Sequence, residues 1–228
     1  GTTTFSENGG TGSFTVVLNT QPDGDVVIDV TSGDISEATV NKATLTFTPS
    51  DWNTPQTVTI SGVDDYSNDS NQTFNISLTT NTGSTTDSTG YDSINPDDVS
   101  ITVQDDDTAA ITVTPGTTTF SENGGTGSFT VVLNTQPTGN VVINVTSNDT
   151  TEATVNKSTL TFTPSDWSTP QTVTISGVND GTVDGNQSFD INLTINSGST
   201  SDSTGYASLV PDNVAVTVLD SNPAVFVN

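Results

Sequence analysis

Residues 116–125 of this 228-residue chain, Gly116-Thr117-Thr118-Thr119-Phe120-Ser121-Glu122-Asn123-Gly124-Gly125, repeat Gly1 to Gly10 without a change. The match continues at the same offset of 115, with about 80 of 113 aligned positions identical. Whatever the first half builds, the second half builds again, so the chain divides into two units of ordinary domain size. Each must bury its own core.

The material for that core is sparse. A hydrophobic fraction of 29% and a net charge of -25 push a chain toward disorder, so pattern has to make the fold. The apolar residues fall on alternate positions: Phe14, Val16, Leu18; Val26, Ile28, Val30; Leu45, Phe47; Val58, Ile60; Phe74, Ile76, Leu78; Val99, Ile101, Val103. Period two over short runs predicts strands with one face buried, and the Thr, Ser, Asn and Asp between them suit an exposed pleat. Turn clusters such as Asn8-Gly9-Gly10, Pro22-Asp23-Gly24 and Asn81-Thr82-Gly83 separate the runs. With Thr2 to Phe5 added, about seven strands fill each unit, which predicts an all-β chain of two tandem Ig-like seven-stranded antiparallel β-sandwiches. The expected spans are 1–108 and 109–223, with 224–228 opening a further strand or serving as a donor strand. Trp52 and Trp167, each after a Pro-Ser-Asp turn, are expected to close one end of a core.

Charge narrows the partners. Twenty-seven acidic residues face only Lys42 and Lys157, which argues against nucleic acid or an anionic membrane and for cations. Cysteine, histidine and methionine are absent, so disulfides, thiolate or imidazole metal sites and His-based catalysis are excluded, leaving hard oxygen ligation. No apolar run approaches the ~20 residues of a membrane span, and a mature chain or an excised piece is expected. Two lysines and no arginine offer little to trypsin-like proteases, in keeping with an extracellular life.

The acids are not evenly spread. Asp105-Asp106-Asp107 lies between the run Val99 to Val103 and the next apolar run, Ala109 to Val113. Three adjacent carboxylates repel one another and are either solvated or given a cation, and a cation is the working expectation. Between the halves, Asp23, Asp25, Asp29, Asp64, Asp98, Asp106 and Asp107 become Thr138, Asn140, Asn144, Asn179, Asn213, Ser221 and Asn222. The second unit keeps the core and sheds acid.

Four stretches carry a resemblance: Phe5-Ser6-Glu7-Asn8-Gly9-Gly10 leading into Phe14 to Leu18; Leu45-Thr46-Phe47-Thr48-Pro49-Ser50-Asp51-Trp52 continuing to Val58; Gly62-Val63-Asp64-Asp65; and the terminal Asp105 to Asp107. In this order, and twice, they resemble the Calx-β family, more closely its bacterial extracellular tandem-repeat members. The resemblance implies Ca2+ held at one end of a seven-stranded sandwich. Carried onto this chain, the implied ligands are Glu7, Asp34, Asp64, Asp65, Asp69, Asp105, Asp106 and Asp107, with Glu122, Asp149, Asp180, Asp184 and Asp220 in the second unit. Where the family usually has a second acidic pair before its Phe, Asn71-Gln72 and Asn186-Gln187 stand here, so weaker affinity is expected, more so in the second unit. Asp23, Asp87 and Asp202 are read instead as solvated turn residues.

An enzyme is the least favoured function, since carboxylate pairs that cleave sugars need a cleft with stacking aromatics, and aromatics are 6% here. The leading expectation is a Ca2+-stabilised extracellular repeat of a bacterial adhesin stalk, surface layer or filament. It is expected to meet neighbouring repeats or identical subunits head-to-tail, without inserting in a membrane. A carbohydrate- or protein-binding module is the alternative. Ala109 to Pro115 reads as a first strand for the second unit that the first unit lacks. Ala224 to Asn228 aligns with Ala109 to Val113, so this tail of another chain, or the equivalent strand of a preceding repeat, is expected to complete the first unit, unless the chain is a slice of a longer repeat array.

Overall fold

The structure, a computed structural model, describes residue 1 and residues 3–221, and the chain divides into two compact units between Asp106 and Asp107. In the first unit the strands are β1 (Thr4–Ser6), β2 (Thr11–Val16), β3 (Val26–Ser32), β4 (Ala38–Val40), β5 (Thr44–Phe47), β6 (Gln56–Gly62), β7 (Gln72–Thr80) and β8 (Val99–Gln104). They form a five-stranded sheet in the order β1-β8-β7-β3-β5 and a three-stranded sheet in the order β2-β6-β4. The second unit repeats them as β10 (Thr119–Ser121), β11 (Thr126–Leu133), β12 (Val141–Ser147), β13 (Ala153–Val155), β14 (Thr159–Phe162), β15 (Gln171–Gly177), β16 (Gln187–Ile195) and β17 (Val214–Leu219), and adds β9 (Ile111–Pro115) beside β11.

The alternation places the core. Val26, Ile28 and Val30 on β3 bury one face, and Ile76, Leu78, Ile101 and Val103 continue it across β7 and β8. Phe14, Val58 and Ile60 from the smaller sheet complete the same cluster, so each unit is a two-layer sandwich. Each fully buried side chain of this size contributes about 1.5–3 kcal/mol relative to leaving it exposed. Trp52 and Trp167 pack against the two cores as partly buried residues.

Two details were not visible in the pattern. The eight strands common to both units exceed the expected seven by β4 and β13, whose three residues are too few to show alternation. The pairing is also not wholly antiparallel. β1 runs parallel to β8, with Phe5 opposite Val103, and β10 runs parallel to β17. In the first unit these are the first and last strands, and in both units the pairing is long-range, announced by no local sequence signal. The tail Ala224 to Asn228, the residue Asn222 and Thr2 of the expected first strand lie outside the described residues.

Candidate metal centre

Parallel pairing of β1 with β8 sends both strands out at the same end of the first unit, so Glu7 leaves β1 beside the start of the Asp105 to Asp107 run. The Glu7 N–H donates to the Gln104 carbonyl at 3.0 Å, fixing the residue at the sheet margin, and Glu7 is buried. β6 ends at the same place. A Cβ on Gly62 would lie 2.5 Å from the Ser6 carbonyl oxygen and 2.6 Å from that of Glu7, so the close approach of β6 to this turn requires glycine. The chain then enters the loop 63–71, and the Val63 N–H donates to the Glu37 carbonyl at 2.9 Å, drawing in the residue before β4.

Carboxylates converge at that end. Oxygens of Glu7, Asp65 and Asp107, of Glu7, Asp69 and Asp105, and of Glu37, Asp65 and Asp69 form three groups, each with all its atoms within 4.8 Å of one another. Two oxygens bound to one Ca2+ at 2.3–2.6 Å are separated by at most about 5 Å, so each group is of a size one ion can bridge. The donors are all hard oxygens, and the whole chain has two lysines to set against its acids. The residues therefore fit a divalent cation of the calcium type. The crowding of charge acts on Glu37: burial first, then Asp69, Asp65, Asp34 and Asp105, push its carboxyl up to about 7. Burial, with Asp65 and Asp105 nearby, also raises Asp69.

The loop is held by its own acids. Asp65 accepts from the Ser67 N–H at 2.7 Å, and Asp105 accepts from the Ser70 N–H at 2.6 Å while its own N–H donates to the Asn71 side chain at 3.2 Å. Tyr66 and Ser70 adopt φ of 62° and 71°, the left-handed region that side chains other than glycine avoid. At the matching positions the second unit has Gly181 and Gly185, with φ of 75° and 82°. Backbone of this kind costs on the order of 1–3 kcal/mol per residue and concentrates at ligand clamps.

The second unit gathers one such group among the described residues, Glu152 with Asp180 and Asp184. Burial, then Asp184, Asp180, Asp149 and Glu122, raise the Glu152 carboxyl. Glu122 is buried like Glu7, and it accepts from the Ser221 N–H at 3.2 Å and the Ser221 hydroxyl at 3.1 Å, where the first repeat has Asp106. Asp220 accepts from the Gly185 N–H at 3.0 Å.

The profile of the Calx-beta domain matches residues 1–107 and again residues 104–222. The chain belongs to the Calx-beta domain family. Among solved structures it is similar to the calcium binding domain CBD12 of CALX1.1, with 19% identity over 85% of this chain and 77% of that one, at a TM-score of 0.35. It is also similar to the apo form of the Calx CBD1 domain, with 21% identity over 49% of this chain and 98% of that one, again at 0.35. None of the curated proteins is a significant match.

Of the ligands carried over from the Calx-beta pattern, Glu7, Asp65, Asp69, Asp105 and Asp107 sit in the first repeat's groups, and Asp180 and Asp184 in the second's. Asp34, Asp64, Asp106, Glu122, Asp149 and Asp220 are outside them among the described residues. Asp34 spends a carboxylate oxygen on the Ser36 hydroxyl and N–H, which hold it below the usual range, yet it is near enough to raise Glu37. Asp149 does the same with Thr151 and raises Glu152. Asp106 accepts from the Ser6 hydroxyl at 3.4 Å and the Asn8 side-chain amide at 3.1 Å.

Glu37 and Glu152 were missed. The signal existed: the chain has four glutamates, Glu7, Glu37, Glu122 and Glu152, and all four are buried. Asp87 and Asp202, expected as solvated turn residues, are buried instead. Burial alone would raise Asp87, but donors from Thr89, Tyr91 and Asp23 outweigh it and hold the carboxyl down at about 2. That carboxylate ties a turn together, and it belongs to none of the carboxylate groups among the described residues.

Proposed function

We propose that the chain is a Ca2+-stabilised structural repeat, two links of an extracellular adhesin stalk, surface layer or filament on a bacterial cell, meeting its neighbours head-to-tail and carrying out no catalysis. The observation that carries the reading is the convergence of Glu7, Glu37, Asp65, Asp69, Asp105 and Asp107 at one end of a repeat in a chain nearly devoid of positive charge. Calcium bound there neutralises repulsion that is otherwise relieved by protonating Glu37, and joins loop 63–71 to the exit of β8. Because those acids are the last residues before the second repeat starts, the same ion stiffens the link. The extracellular placement is supported by the two lysines and no arginine, which offer little to trypsin-like proteases.

Small-angle scattering tests the spacer role. In Ca2+ the chain is expected to give a longer and narrower distance distribution than in chelator, and Asp105→Asn with Asp106→Asn should abolish the difference. A distribution indifferent to both would leave the junction an ordinary linker.

A further inference from the structure

Every acid of the second repeat but one stands where the first repeat also has an acid. The exception is Asp190, whose counterpart 115 positions earlier is Asn75. In a repeat that otherwise trades Asp for Asn, Thr or Ser, this position runs the other way. It lies within β16, a central strand between β12 and β17, where Asp is a disfavoured residue.

The surroundings of Asp190 change with it. Gly33, Thr73, Ser77 and Ser100 of the first repeat become Asn148, Ser188, Asn192 and Ala215. Ala215 sits directly across from Asp190 on β17, and Thr217 across from Ser188, while the Asn148 N–H donates to the Asp190 carbonyl at 3.1 Å. Asn148 and Asn192 exchange reciprocal side-chain amide hydrogen bonds, and the Ser188 and Thr217 hydroxyls meet at 3.0 Å. Asn148, Ser188, Asp190, Ala215 and Thr217 line a pocket on the outer face of the five-stranded sheet. Its volume is about 430 Å³, within the range of about 300–1,000 Å³ usual for small-molecule sites. Asp190 is half-buried, and its carboxylate accepts no hydrogen bond from the described residues. A carboxylate so placed is poorly satisfied, and a ligand that brings donors gains there.

The donor set decides the kind of ligand. One carboxylate among neutral amides and hydroxyls is short of the charge that holds a calcium-type ion, and Asp190 belongs to none of the carboxylate groups among the described residues. Asn148 spends one N–H and one lone pair on Asn192 and keeps one of each for a ligand, in an orientation that the pair fixes. A carboxylate acceptor beside an amide that both donates and accepts is the chemistry that reads adjacent hydroxyls. Ala215, where the first repeat has Ser100, adds an apolar contact for the C–H face of a ring. We propose that this pocket of the second repeat binds a neutral saccharide unit, with Asp190 accepting from its hydroxyls and Asn148 bonding a neighbouring one. The inference goes beyond the spacer role and does not rest on it.

The test is titration of the full chain, in Ca2+, with lactose, maltose, cellobiose and chitobiose, read by amide NMR shifts, with the first repeat as a control in the same sample. At least one of these sugars is expected to shift residues 148, 188–192 and 215–217 saturably and to leave 33, 73–77 and 100–102 in place. Asp190→Asn installs the residue that the first repeat already carries there, so the fold is expected to persist while binding weakens about tenfold, the loss of a hydrogen bond to a charged group. Ala215→Ser, again the first repeat's residue, is expected to weaken binding as well. Four sugars without saturable shifts, shifts of equal size in both repeats, or an Asp190→Asn variant that binds as before would overturn the proposal. A CaCl2 titration without sugar that shifts the same residues, and that Asp190→Asn abolishes, would overturn it too and make the pocket a cation site.

Discussion

The two repeats share most of their sequence and differ at their two functional ends in opposite senses. At the acidic end the first repeat is the richer: three carboxylate groups against one among the described residues, with Tyr66 and Ser70 held in left-handed backbone where the second has glycine. At the other end β9 lies beside β11 in the second repeat, where Tyr206 is fully buried, whereas the equivalent Tyr91 is partly buried. Sequence identity inside a strand thus fixes its partner set less than the segment laid beside it does. An acid lost from a loop changes charge and leaves the sandwich standing.

The largest expected difference is in calcium. Glu7→Gln should remove a charged donor shared by two groups, and at free Ca2+ about a hundredfold above the dissociation constant each site lost removes ~2.7 kcal/mol. Glu122→Gln lies outside the second repeat's group and should cost less. Denaturant unfolding of both variants in Ca2+ reads the difference, and equal losses would break the asymmetry.

The covered and uncovered tyrosines come next. Tyr206→Phe strips a buried hydroxyl from the Thr135 N–H and side chain in a site closed to water, with an expected loss of about 1–3 kcal/mol. Tyr91→Phe removes the same bonds where water can replace them, and should cost about 1 kcal/mol or less. Exchanging backbone strain has a smaller effect. Ser70→Gly is expected to stabilise the metal-free chain by up to about 1 kcal/mol, and Gly185→Ala to destabilise it by about 1–2 kcal/mol, because Gly185 has open space around it and only its φ resists a side chain.

These differences sort what the sequence made legible from what it did not. The runs Val26-Ile28-Val30 and Ile76-Leu78 declared their strands because burial on one face forces period two. β4 did not, having only Ala38 buried within its three residues. In the metal centre, Asp65, Asp69 and Asp105 were reached through the resemblance to the Calx-beta pattern, whereas Glu37 joins them only because β4 pairs with the end of β6 and brings Glu37 beside Val63. A residue delivered by tertiary pairing leaves no local mark. Asp87 misled for the same reason: its turn residues look solvated until Asp23, 64 positions away, donates to it.

A separate effect is in pH. Glu37 titrates near 7 in the fold against an ordinary value of 4.5, so between these values the metal-free native state holds a proton that the unfolded chain has released. Stability in chelator should therefore fall as pH rises from about 4.5 through 7 and then level, with Glu152 contributing in the same direction in the second repeat. Urea midpoints against pH check it. Glu37→Gln should flatten the fall, and excess Ca2+, which needs the carboxylate, should reverse it.

The most direct measurement is the melting curve of the full chain in Ca2+ and after exhaustive chelation, with the metal content of the purified protein determined alongside. Bound calcium and a lower melting temperature on chelation, with the larger drop in the transition that Glu7→Gln shifts, are the expected results. A metal-free protein whose melt is the same in calcium and in chelator would contradict the reading of these acids as a calcium site.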